Sequence, residues 1–178
     1  GLDPFTLEGL RNLLFSPCGT WAFPTAAPEL PPPEVVVPGK AAGPLKGGNL
    51  SLVASSLGTW YDLNTRGSIL FLEDVDERPY RLDSMLTHLR NAGRLDCCSA
   101  ILLGYFTRCE AADPAKSQTV REVIAQVVEP VCRSRNIPLV IGLPCGHSLP
   151  TMSLPLGAEV QIDAGEDGTF SLKPGKSL

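Results

Sequence analysis

The chain has 178 residues, 43% of them apolar and 19% charged, with a net charge of −4. That composition fits one sizeable globular domain, and two would be a squeeze. The negative charge, with no Lys/Arg cluster, argues against a nucleic-acid partner; no apolar run approaches the roughly 20 residues of a membrane span, and no signal-peptide pattern opens the chain.

Residues 1–6, "GLDPFT", read as a cloning or protease scar and are set outside the fold. Leu7, Leu10, Leu13 and Leu14 then recur at helical spacing. Six prolines between Pro24 and Pro38 predict an extended linker or strap, because proline fixes φ and removes a donor. Leu50, Val53, Ala54 and Leu57 share a helical face closed by Gly58, with Gly47–Asn49 as a tight turn and N-cap before it. Ser68–Leu72 reads as a strand, residues 81–93 as a helix ended by Gly93, and residues 99–106 as a second strand. A valine stripe from Val120 to Val131 predicts a helix opened by a Thr119–Glu122 capping box and kinked in its last turn by Pro130. Residues 137–144 read as a third strand, and residues 156–174 alternate about a Gly/Asp turn as a hairpin. The fold class expected is α/β: a parallel strand–helix–strand–helix–strand middle with a C-terminal hairpin in one mixed sheet.

Sites in such sheets gather beyond the carboxyl ends of the strands. That rule sends Glu73, in "LEDVDE", and His147, in "GLPCGHS", to one rim. A carboxylate beside an imidazole can fix its tautomer and leave the other ring nitrogen free to take a proton. A lone strand-end Glu is more often a solvated acid, and a lone loop His a packed one; the residues by themselves leave both readings open. His88 falls on the solvent flank of its helix. Cys145, two residues before His147, invites a thiol-nucleophile reading, but nothing in the sequence argues for a lowered thiol pKa. Gly47 and Gly48 could admit a ligand close to the backbone, or simply serve the turn. The six cysteines (Cys18, Cys97, Cys98, Cys109, Cys132 and Cys145) form no CxxC pair, and only two histidines are present, so neither a metal nor a cofactor is expected and the thiols read as reduced and buried.

The segments "GPLKGGNL", "ILFLEDVDERPYRLDSMLTHLRNAG", "LLGYF" and "GLPCGHS" closely resemble the LD-carboxypeptidases, serine peptidases of murein tetrapeptides, over residues 39–173. The resemblance implies a Ser–Glu–His triad with Glu73 and His147 as two of its members. It places Gly47, Gly48, Asn49 and Gly146 against the substrate, the peptidoglycan stem peptide. It further implies a swivelling-type β/β/α domain at residues 47–178, preceded by a connecting helix and proline-rich strap at 7–46. The family's serine sits in an N-terminal domain at a Gly-Tyr-Ser-Asp turn, and no such motif occurs here. The expectation is therefore a C-terminal domain that is inactive without that partner domain, from a protein that forms a homodimer at full length. A cytoplasmic location is expected, with the periplasm also open.

Two other readings compete. Related self-immunity peptidases cleave peptidyl or aminoacyl sulfamoyl-adenylates, and would need an aromatic such as Trp60 to stack the adenine. A non-catalytic binding module would have no use for Glu73 and His147.

Overall fold

A computed structural model describes residues 1–16, 30–113 and 116–175. Cys18 and the first part of the proline-rich stretch lie outside the described residues. Helix α1 (Pro4–Phe15) is followed by β1 (Glu34–Val37), β2 (Gly39–Asn49) and α2 (Leu50–Ser55). Then come β3 (Ile69–Val75), α3 (Pro79–Asn91), β4 (Ala100–Thr107), α4 (Val120–Val127) and α5 (Glu129–Arg135). The chain closes with β5 (Leu139–Ile141), β6 (Glu159–Ala164) and β7 (Phe170–Pro174).

Among the described residues one seven-stranded sheet runs in the order β1-β5-β4-β3-β2-β6-β7. The central four, β5-β4-β3-β2, are parallel, whereas β1, β6 and β7 pair antiparallel to their neighbours. Successive crossovers step in one direction, so α2 to α5 share one face. There Leu50, Leu82, Leu86, Val123, Ile124 and Cys132 pack on Leu70, Leu72, Ile101 and Leu103. The opposite face buries Leu45, Ile69, Phe71 and Leu102 beneath Val160 and Ile162 of β6, Leu143 and Met152 of the β5–β6 loop, and Phe5 of α1. A parallel strand covered on both faces has to read as a continuous apolar run, and "ILFL" in β3 does.

Several expectations change. The first six residues belong to the fold: the Asp3 carboxylate caps α1 by accepting from Thr6 N at 2.9 Å, and Thr6 is buried. The strap contributes β1. Residues 39–49 form a central strand that crosses the boundary expected at residue 47, so Gly47 to Asn49 end a strand rather than make a turn. Pro130 does more than kink the valine-rich helix: α4 stops at Val127 and α5 restarts with the proline in its first turn, where a missing N–H costs nothing. The Thr119–Glu122 capping box forms as expected.

Candidate active site

Strand β3 carries its apolar run into three further residues, Glu73, Asp74 and Val75. Glu73 is 5% and Asp74 2% exposed, so both carboxylates need partners inside the protein. Asp74 accepts from Asn49 Nδ2 (2.9 Å), Ser51 N (2.9 Å), Ser51 Oγ (2.8 Å) and Val75 N (2.8 Å). It therefore ties the start of α2 to the end of β3. Glu73 takes a different partner: its Oε2 lies 2.8 Å from His147 Nδ1.

His147 arrives from two strands away. Beyond β5 the chain keeps to the flank of β4, with Leu143 N donating to Leu103 O (3.1 Å) and Tyr105 N donating to Cys145 O (3.0 Å). It then has to cross β4 to reach β3, and two glycines make room. A Cβ on Gly104 would collide with the Cys145 carbonyl oxygen. A Cβ on Gly146, at φ +139, would lie 2.9 Å from Glu73 Oε2 and 3.2 Å from Tyr105 O. Sequence reading marked Gly146 through a motif but missed Gly104, which a glycine inside an otherwise apolar strand could have signalled.

The imidazole side chain is 53% exposed, and its Nε2 makes no hydrogen bond within the described residues. A buried carboxylate holding one ring nitrogen, with the other facing outward, is the arrangement of a base and its orienter. Gly47, Gly48 and Asn49 lie alongside, paired in register with Phe71, Leu72 and Glu73. Asn49 caps α2 by accepting from Leu52 N at 3.2 Å. Gly48 leaves open space where a side chain would stand, while Gly47 sits hard against the Phe71 carbonyl.

Other candidate side chains have surroundings of their own. The remaining acids of "EDVDE" are paired: Asp76 with Arg108 and Glu77 with Arg81. The Cys145 thiol is pushed up to about 12 by burial and then by the Glu73 charge, which opposes a thiolate nucleophile. His88 is exposed on α3, as its helical position predicts. Among the described residues no group of three His, Cys, Asp or Glu side chains converges to hold a metal, and no helix is long and apolar enough to cross a membrane.

Residues 42–162 match the family model described as LD-carboxypeptidase C-terminal domain. The chain belongs to the LD-carboxypeptidase family. It is 40% identical over 142 residues to the probable murein peptide carboxypeptidase of Bacillus subtilis, covering 80% of this chain and 43% of that protein. It also resembles the solved muramoyltetrapeptide carboxypeptidase of Oxalobacter formigenes, with a TM-score of 0.76 and 30% identity, covering 99% of this chain and 57% of that one. The Escherichia coli microcin C7 self-immunity protein MccF is 30% identical over 126 residues, 70% of this chain and 35% of that protein. The LD-carboxypeptidase domain described here thus spans about half the length of these relatives, and its mixed sheet is the fold of the solved one.

Proposed function

We propose that the chain is the Glu/His-bearing part of a serine LD-carboxypeptidase that removes the terminal D-alanine from murein stem tetrapeptides. The observation that carries this reading is the 2.8 Å contact between His147 Nδ1 and the buried Glu73 carboxylate, with Nε2 left free on a half-exposed ring. In this role Glu73 accepts the Nδ1–H and holds the tautomer whose Nε2 lone pair faces the substrate. Nε2 takes the proton of the attacking serine hydroxyl, then gives it to the leaving amine of D-alanine. A water deprotonated by the same nitrogen releases the acyl group, and Glu73 stays ionised throughout as the counter-charge to the imidazolium.

Among the described residues no serine hydroxyl reaches His147, so the nucleophile and the oxyanion donors are assigned to the part of the full-length protein that this chain does not span. Gly48, with its open face beside the dyad, is assigned to the substrate backbone, with Gly47, Asn49 and Gly146 shaping the wall around it. The full-length protein is taken to act as a homodimer. The sulfamoyl-adenylate reading needs an aromatic to stack the adenine, and Trp60 is fully exposed.

The test is D-alanine release from a murein tetrapeptide by the full-length protein beside its His147→Ala variant. Release that falls by about 10²–10⁴ in the variant is the expected result. Release that survives the substitution removes His147 from the mechanism. No release by the unsubstituted protein, with turnover of an aminoacyl sulfamoyl-adenylate instead, moves the site to the self-immunity class.

A further inference from the structure

Just past the dyad, the ends of β3 and β4 are built in an unusual way. Asp76 and Arg108 each stand one residue beyond their strand, and each adopts a left-handed backbone, at φ 59 and φ 55. Among the described residues only one other non-glycine residue has positive φ, Asn136, and it is the ordinary left-handed cap of α5. The two backbones are locked together by Asp76 N donating to Thr107 O at 3.0 Å. Their side chains then meet as a fork, with Arg108 Nε 2.7 Å from Asp76 Oδ1 and Nη2 2.6 Å from Oδ2.

The turn at Arg108, closed by Cys109 N donating to Phe106 O at 3.3 Å, carries Cys109 into the core, but it does not require the fork above it. A left-handed backbone is unfavourable for any residue with a Cβ, and an exposed ion pair gives little back. Both side chains here are more than 60% exposed, Arg108 at 64% and Asp76 at 62%. Residues held in a strained backbone by their surroundings cluster at active sites and ligand clamps. The fork uses Nε and one N–H of Nη2, which leaves the Nη1 edge of the guanidinium pointing away from Asp76 with its donors unengaged among the described residues. That edge, Nη1 with the second N–H of Nη2, has the spacing to take a second carboxylate end-on. The Asp76 carboxylate is held below its usual range by the Arg108 hydrogen bonds first, and the His147 charge contributes as well, so the fork and the dyad lie within electrostatic reach.

The geometry points to Arg108, clamped by Asp76, as a docking site for the free carboxylate of a ligand at the dyad rim. Taking that ligand as the carboxyl end of a peptide rests on the function proposed above. Asp76 acts as a positioning residue: it fixes the plane of the guanidinium before the ligand arrives. Other charges nearby are unsuited to this role. Glu77 engages Arg81, Glu110 receives the Val120 N–H, and Arg78, also exposed, has no carboxylate holding its guanidinium in the described residues.

The experiment uses nitrogen-15 NMR on this chain with two probes, N-acetyl-D-alanine and N-acetyl-D-alaninamide, which differ only in the carboxylate. The acid is expected to shift the Arg108 Nε–H and the backbone signals of Asp76, Arg108 and His147, and the amide is not. Arg108→Gln should raise the Kd for the acid about tenfold or more. Arg108→Lys, a charge without a fork, should fall between, and Arg78→Gln should stay within about twofold. Equal shifts from acid and amide, no shift from either, or an unchanged Kd in Arg108→Gln would overturn the assignment. In the full-length protein, Arg108→Gln should raise KM for the tetrapeptide more than it lowers kcat. An unchanged KM there refutes Arg108 while the His147 dyad stands. An inactive full-length protein refutes the dyad reading, and the acid-versus-amide comparison still decides Arg108.

Discussion

Three glycines beside the dyad share one backbone class and differ in surroundings, which makes an alanine series informative. Gly47, Gly48 and Gly146 have φ of 128, 140 and 139, a region that costs a residue with a Cβ about 1–3 kcal/mol. At Gly48 an added Cβ meets nothing within 4 Å, so Gly48→Ala should cost that strain only, about 2 kcal/mol. At Gly146 the Cβ would lie 2.9 Å from Glu73 Oε2 and 3.2 Å from the Tyr105 carbonyl oxygen. The carboxylate can swing aside only by giving up its charge-assisted bond to His147, and the carbonyl belongs to β4 and cannot move, so the total rises to about 4 kcal/mol. At Gly47 the Cβ collides with the Phe71 carbonyl and drives β2 from β3 at the centre of the sheet. That loss approaches the whole stability of a domain, about 5–15 kcal/mol, and the variant should not fold. Circular dichroism melts should show Tm falling by about 4–8 °C for Gly48→Ala and about 8–16 °C for Gly146→Ala, at roughly 2–4 °C per kcal/mol for a chain of this size. Equal losses at 48 and 146 would refute the crowding around Glu73, and a well-folded Gly47→Ala would refute the β2–β3 packing.

Asp74→Ala removes a buried acceptor of four hydrogen bonds and should cost about 2–4 kcal/mol in urea melts, fraying α2 first; a loss below about 0.5 kcal/mol would contradict the network. Burial pushes the thiols of Cys98 and Cys132 from 9.0 up to about 12, so above pH 9 the unfolded chain sheds protons that the folded one keeps. Stability should therefore fall as pH rises from 9 towards 12, by about 1.4 kcal/mol per thiol at pH 10, and Cys98→Ala with Cys132→Ala should make that limb shallower, leaving the Cys145 contribution in place. Arg94 holds the Asp62 carboxyl below its usual 3.8, chiefly through the hydrogen bond between them. That contribution is present above pH 3.8 and lost as pH falls through the lowered value, so Arg94→Met should remove part of the acid limb of a stability–pH curve and leave the alkaline limb alone.

The helices, β3, β4 and the hairpin were legible because each buries a face whose period shows in the sequence: the valine stripe of α4, the apolar run of β3, the alternation of β6. Strand β2 was hidden because "GKAAGPLKGGN" has four glycines, a proline and no β-branched residue. It is a strand only because β3 and β6 pair with it on either side, which local propensity does not reveal. Strand β1 was masked by the prolines around it. The convergence of Glu73 and His147 followed from topology, since both leave the carboxyl ends of parallel strands. The Asp76–Arg108 fork did not, because left-handed turns at two strand ends and a pairing across 32 residues leave no periodic trace.

Helix α1 also bears on the histidine. Thr6 Oγ1 accepts the amide of Thr151 at 2.9 Å across 145 residues of chain, and Gly9 lies against the backbone of Ser153, so α1 clasps the loop that presents His147. The ring is held by Glu73 at Nδ1 and, through that loop, by a helix at the far end of the chain. Partial openings that release α1 would let the loop exchange its amides with solvent while the parallel core stays closed. The slowest protons should mark β3 and β4, and those of residues 147–153 should exchange at the rate at which α1 undocks. The half-life of the dyad is then set by how long the helix stays in place, a clock separate from the unfolding of the sheet.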